Sequence, residues 1–289
     1  MKVNEFVQPP FLQAEEFRER VNVLERALEE KGAKIVWLAS YPRSGNGMLR
    51  ALLYFALNPR ATDMADYRTA TLDLHARFTL EHVQALPEAE IQGTRVVFIK
   101  SHFMCNAMAQ FVDRTFGAIH LFRNPFEVAV SDFIASEYYS VCHDEKLLDA
   151  HFMNYFRYFS AFNLSPTSSL YGYGSWPEHY FSWKKLPLYS DAQVVSLSFA
   201  DLVGDREKVR HCLEAFGLPV SRERLDWMYE QSRREKAFVV SETSSAIGGQ
   251  DGHIPHYITP ATVKKAISER AQPFRGYLEE KYALWMALL

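Results

Sequence analysis

Hydrophobic residues along the chain switch between two rhythms. Between residues 11 and 31 they recur at helical spacing, at Phe17, Val21, Leu24 and Leu28, among charged positions, and the pattern stops at Gly32, a residue type that ends helices. Four runs that are apolar almost throughout follow: KIVWLAS (34–40), RVVFIKS (95–101), AIHLFR (118–123) and QVVSLSF (193–199). Each gives way to turn residues and then to a helical rhythm. Strands without a polar face belong in a parallel sheet covered by helices on both sides. The pattern therefore predicts an α/β fold of three layers with a central parallel sheet.

A long helix is expected over about 144–163. The aromatic stretches FIASEYYS (133–140) and HFMNYFRYFSAF (151–162) read mainly as helix core, and some of their residues are candidates for lining an acceptor pocket. SPTSSLYGYGSWP (165–177) and SETSSAIGGQDGHIPH (241–256) read as loops, and loops of that length in compact domains tend to bind or cover ligands. No repeat or low-complexity linker divides the chain. One domain over 1–289 is expected, with 1–32 a helical extension and 241–256 a mobile loop.

Composition narrows the partners. The net charge is -3 over 289 residues, which argues against a bulk electrostatic grip on nucleic acid or an anionic membrane. The apolar runs are far shorter than a bilayer span. Cys105, Cys142 and Cys212 lie far apart without metal-site spacing, so a reduced, cytoplasmic protein without a zinc cluster is expected. His253 and His256 lack ligand partners at suitable spacing. Any anion site has to be built locally.

Ligands of open parallel sheets bind beyond the C-terminal strand ends, and there the residues are coherent. The first strand leads into Arg43, Ser44, Gly45, Asn46 and Gly47, and then a helix with Leu49, Leu52, Leu53 and Leu57 on its apolar side. The amides and dipole of such a helix start attract anions. The second strand ends in Lys100, Ser101 and His102, and the third in Arg123, Asn124 and Pro125, with Ser131 two turns into the next helix. Two guanidinium groups, an ammonium, an imidazole and a helix start suit a ligand with more than one phosphate-like group. Taken singly, each motif is also an ordinary cap or strand end. Their order along the chain gives them weight.

The segments YPRSGN, KSH, RNPFEVAVS and GSWPEHYFSW resemble, in order, the signatures of the sulfotransferases that use 3′-phosphoadenosine 5′-phosphosulfate (PAPS). Those signatures are a YPKSGTTW-type loop, a K-T/S-H strand end, an RNPxDxxxS segment and a W-x-x-H-x-x-x-W helix. The resemblance runs from about residue 34 to about 205 and implies a P-loop NTPase-like sulfotransferase fold. It implies sulfuryl transfer from PAPS to an acceptor hydroxyl, leaving 3′-phosphoadenosine 5′-phosphate (PAP), with no metal. By the same resemblance, Arg43 meets the bridging oxygen and Ser44 to Gly47 wrap the 5′-phosphosulfate. Lys100 stands beside the sulfuryl group, His102 is the base, and Arg123 and Ser131 hold the 3′-phosphate. Thr243 stands near the adenine.

Several positions depart from the family pattern. Arg43 replaces lysine and can act only as a fixed charge. Gly47 lacks a hydroxyl, and Met48 stands where the family stacks tryptophan on adenine. Phe199 or Trp176 is the expected substitute platform. His179, Trp176 and Trp183 otherwise read as packing residues. The late Arg-Lys-Gly clamp is not recognisable, and Arg233, Arg234 and Lys236 lie away from its place. A kinase or nucleotidase would need Gly-Lys-Ser/Thr, which RSGNG does not supply. The expected partner is a small-molecule acceptor, with a carbohydrate acceptor or a non-catalytic nucleotide-binding relative as alternatives.

Overall fold

The structure, a computed structural model, describes residues 15–64, 67–243 and 261–288. Helix α1 (Glu15–Lys31) buries Phe17, Val21, Leu24 and Leu28, the stripe the spacing predicts. The strands are β1 (Lys34–Ser40), β2 (Leu72–Asp73), β3 (Ala89–Ile91), β4 (Thr94–Ser101), β5 (Thr115–Phe122) and β6 (Gln193–Ser198). Their order is β2-β4-β1-β5-β6, with β3 beside β4. All pairs are parallel except β3 with β4. In β1, six of seven residues are buried, as expected of a central strand covered on both faces.

The two edge additions escaped the apolar pattern. β2 is only two residues long. β3 joins β4 through Gln92 and Gly93, both with positive φ, the geometry of a tight hairpin turn. β5 begins earlier than predicted, at Thr115. Its Gly117 leaves space for β6, because a Cβ there would lie 2.6 Å from the Gln193 carbonyl oxygen.

Helices follow the strands. α2 (Asn46–Leu57) comes after β1, and the described chain continues with α3 (Leu80–Gln84), α4 (Pro125–Phe133), α5 (Glu145–Phe162), α6 (Pro166–Tyr171) and α7 (Trp176–Lys184). After β6 come α8 (Phe199–Gly204), α9 (Arg206–Ala215), α10 (Arg222–Thr243), α11 (Ala261–Arg270) and α12 (Gln272–Ala287). The stretch 165–177, expected as a loop, contains α6 and the start of α7. Ser165 and Ser175 cap these two helices, each ahead of a proline in the first turn, and Ser175 pairs with Glu178 in a capping box. That signature outweighs the Gly and Ser content that suggested a loop.

Alternate strand residues feed opposite layers. Val36, Leu38, Ile119 and Leu121 pack with α2 and the helices after β6. Ile35, Trp37, Ala39, Val97 and Ile99 pack with α1 and Trp183. A third cluster joins α4 to Phe152, Phe156 and Phe159 of α5 and to Trp176 and Leu278. Met153 and Phe162 of the aromatic stretch are exposed. Each buried indole has a partner: Trp37 donates to Thr115 Oγ1, Trp176 to the Arg123 carbonyl and Trp183 to the Phe103 carbonyl, all at 2.9 Å. Trp176 and Trp183 thus are the packing residues expected. Trp176 is withdrawn as an adenine platform, because it is buried in parallel stacks with Tyr180 and Trp285.

Between β5 and α7 lie two buried imidazoles, His120 and His179, 5.9 Å apart. Both ring nitrogens of His120 and Nε2 of His179 lack a protein partner. Burial depresses both pKa values, that of His179 to about 3. The unfolded chain takes up these protons near pH 6.5 and the folded chain does not. Their contribution to stability is therefore complete above about pH 6.5 and is lost on acidification, at about 1.4 kcal/mol per pH unit for each proton. Chemical denaturation should show His120→Phe to be less acid-sensitive than the wild type below about pH 6 by one proton's slope. Equal slopes would refute this assignment.

Candidate active site

The turn after β1 places its donors by two backbone conformations rare for most side chains. Arg43 has φ 65° and Gly45 φ 101°. A Cβ on Gly45 would come within 2.5 Å of the Phe199 ring, so glycine is required by conformation and by space together. Asn46 ties the loop back to its strand, donating from Nδ2 to the Leu38 carbonyl at 3.3 Å and to Ser40 Oγ at 3.0 Å. The Gly45 carbonyl accepts from the Met48 and Leu49 amides. The opening amides of α2, at Asn46 and Gly47, have no intrahelical acceptor. The Ser44 hydroxyl is buried without a partner. Together they form a group of donors at a positive helix end.

The structure brings Arg123 and Ser131 against this loop. Arg43 Nε donates to Ser131 Oγ at 3.2 Å, and Arg123 Nη1 donates to the Arg43 carbonyl at 3.2 Å. Asn124 caps α4, accepting from the Phe126 amide, with Pro125 in the first turn. Arg123 also pairs with Glu127 at 2.8 Å, and its guanidinium carbon lies 4.2 Å from the centre of the Phe199 ring. Phe199 is therefore next to both the loop and Arg123. Burial, then the charge of Arg123, press the Arg43 pKa down, while Asp132 opposes the shift. Asp132 itself is buried and accepts from Tyr155 Oη at 2.9 Å.

Other predicted positions fall differently. Gly47 borders open space, since a Cβ there would meet nothing within 4 Å. Met48, expected at the cofactor, has its side chain in the core with Leu49 and Leu52. Only its backbone belongs to the loop, and its amide is taken by Gly45. Thr243 ends α10, and its side chain lies outside the described residues, as do the side chains of Arg233, Arg234 and Lys236. Of the expected loop 241–256, residues 244–256 also lie outside them.

His102, the base expected from the sequence, follows directly on β4. His102 Nδ1 is 2.6 Å from the Ser40 carbonyl oxygen. A carbonyl can only accept, so Nδ1 carries the proton and the lone pair is on Nε2. Burial, then the charges of Lys100 and His75, hold the His102 pKa well below its usual value. The ring is accordingly neutral and able to accept a proton at neutral pH.

Two neighbours were missed in the sequence. Asp73 on β2 is the register partner of Lys100 and accepts from its Nζ at 2.6 Å. His75 Nε2 accepts from the His102 amide at 2.9 Å, and its Nδ1 is 3.1 Å from Tyr173 Oη. The readable signal was an acid and an imidazole two residues apart in TLDLHARF, the spacing of one strand face. Lys100, expected beside the sulfuryl group, is thus ion-paired with Asp73.

Replacing Gly45 by alanine should cost roughly 1–3 kcal/mol of stability through the strained φ and the contact with Phe199. A neutral result in chemical denaturation would contradict the loop conformation.

The family described as "Sulfotransferase domain" matches residues 34–252. No curated protein matches the chain significantly. Retinol dehydratase in a complex with retinol and PAP superposes with a TM-score of 0.53 at 15% identity, covering 90% of this chain and 85% of its own. Retinol dehydratase with androsterone and inactive cofactor PAP gives 0.51 at 17%, covering 84% and 80%. A mouse sulfotransferase, SULT7A1, complexed with PAP gives 0.44 at 16%, covering 86% and 88%. At these identities the two retinol dehydratase structures show a shared fold.

Proposed function

The chain belongs to the sulfotransferase family, and on that premise we propose that it transfers a sulfuryl group from PAPS to a hydroxyl of a small organic acceptor. The observation that carries this reading is the neighbourhood of an anion-binding helix start and a neutral imidazole. His102 spends its Nδ1 proton on Ser40, within the strand that leads into the loop, and so keeps Nε2 for chemistry. The buried, unpartnered Ser44 hydroxyl and the uncapped amides suit a phosphate-like group.

PAPS, when bound, supplies an activated sulfuryl group on a phosphate leaving group. The chain's own residues do the rest. Ser44 and the amides of Asn46 and Gly47 would hold the 5′ end, while Arg123 and Ser131 would hold the 3′-phosphate beside Phe199. Nε2 of His102 takes the acceptor's hydroxyl proton as the acceptor oxygen bonds to sulfur. As the phosphate departs from sulfur, Arg43 and Lys100 would stabilise the negative charge that develops on its oxygen. Arginine keeps its proton, so Arg43 acts as a fixed charge. This division suits a transfer dominated by positioning and charge stabilisation.

A small acceptor is favoured by the aromatic surroundings of His102, where His75, Phe103 and Tyr173 lie in mutual ring contact. The retinol dehydratase structures hold androsterone or retinol, which accords with an acceptor of that size class. His102→Ala should lower transfer, followed with labelled donor, by about 10²–10⁴-fold. It should bind PAP in calorimetry as the wild type does. Undiminished turnover would exclude His102 as the base.

A further inference from the structure

The ion pair at the sheet edge carries an inference that rests on the proposed role of Lys100. Lys100 is buried, with 8% of its surface exposed, between Leu38 of β1 and Asp73 of β2 in the sheet register. A buried ammonium without a counter-ion loses its proton, yet charge stabilisation requires the proton. β2 consists of little more than the residue that answers this need. Asp73 is held opposite Lys100 by strand register, and the Leu74 amide donates to the Lys100 carbonyl at 3.1 Å.

Both carboxylate oxygens of Asp73 are engaged. Oδ2 faces Lys100 Nζ at 2.6 Å and Arg50 Nη1 at 3.7 Å, and Oδ1 accepts from the His75 amide at 3.1 Å. Arg50 is itself fixed, donating to Thr71 Oγ1 at 2.6 Å, to the Thr71 carbonyl at 3.0 Å and to the Arg68 carbonyl at 3.3 Å. The charged and titratable groups around Lys100 are Asp73 on β2, His75 just after it, Arg50 on α2, Arg68 before β2 and His102 beyond β4. Tyr173 Oη meets this group through His75. Asp73 is the one acid in this set, so its removal would leave no carboxylate facing the ammonium.

We propose that Asp73 is the positioning residue for Lys100: it fixes the ammonium beside His102 and keeps it charged for sulfuryl transfer. Asp73 does not act as a second base. Burial alone would raise its pKa, but Lys100, His75 and Arg50 override this and hold the carboxylate below its usual range. For Lys100 the balance is opposite, with burial lowering the pKa and Asp73 opposing the fall. Without Asp73 the ammonium would deprotonate at lower pH.

The test compares wild type, Asp73→Asn and Asp73→Glu in two measurements. In the pH profile of kcat, Asp73→Asn should bring the loss of activity on the alkaline side toward neutrality by a unit or more. Its deficit should then be small near pH 6.5 and grow with rising pH, toward a limit of about tenfold for each pKa unit of displacement. Asp73→Glu should recover most of the alkaline activity. In protein carrying ¹³Cε-lysine, with the Lys100 signal assigned by its loss in Lys100→Arg, the titration midpoint should fall in Asp73→Asn. A profile lowered by one constant factor at every pH, with an unmoved Lys100 midpoint, would overturn the proposal. Should the wild type transfer no sulfuryl group, the proposed function fails, and the NMR titration still decides the role of Asp73. If Asp73→Asn does not fold, the Lys100 midpoint in Asp73→Ser decides instead: a wild-type value would overturn the proposal and a lowered one support it.

Discussion

Cations drawn out of water at one edge of a sheet require compensation, and this requirement shapes the site. Arg50, Lys100 and Arg123 are all buried, and each would be strongly unfavourable there alone. The chain answers with local acids and carbonyls. Asp73 meets Lys100 and Arg50, Glu127 meets Arg123, and the Thr71 and Arg43 carbonyls accept from the guanidinium groups. The cations are fixed before any ligand arrives. Such preorganisation is what makes fixed charge effective against charge that develops during a reaction.

Arginine at position 43 belongs to the same logic. A guanidinium can donate in several directions at once, and Arg43 uses Nε on Ser131 while Asp132 lies near enough to favour its charge. Its carbonyl accepts from Arg123. One residue thus links the loop to Arg123 and Ser131, the two halves of the proposed anion site, through both its side chain and its backbone. The cost is a base-free loop, so proton acceptance falls to His102 alone among the proposed catalytic groups.

The strands β1, β4 and β6 were legible because an uninterrupted apolar run has one natural home, a covered parallel sheet. β2 was not legible, since two residues held by register leave no periodic trace. Asp73 and His75, which contact Lys100 and the His102 amide, left only the two-residue spacing of an acid and an imidazole, with no strand rhythm around it to give it weight. The grouping of Arg43, Arg123 and Ser131 followed from strand-end placement. Trp176 misled: residue type suggested a platform for adenine, while packing drew its side chain inside, as it did that of Met48. Capping signals in 165–177 were present and were outweighed by glycine and serine content.

The central claim is that one edge of the sheet holds both phosphate ends of a nucleotide. A crystal structure of the protein with PAP tests it most directly. The account predicts the 5′-phosphate on the Asn46 and Gly47 amides and the Ser44 hydroxyl, with the 3′-phosphate on Arg123 and Ser131. A nucleotide bound away from the loop, or with its 3′-phosphate away from Arg123, would contradict it.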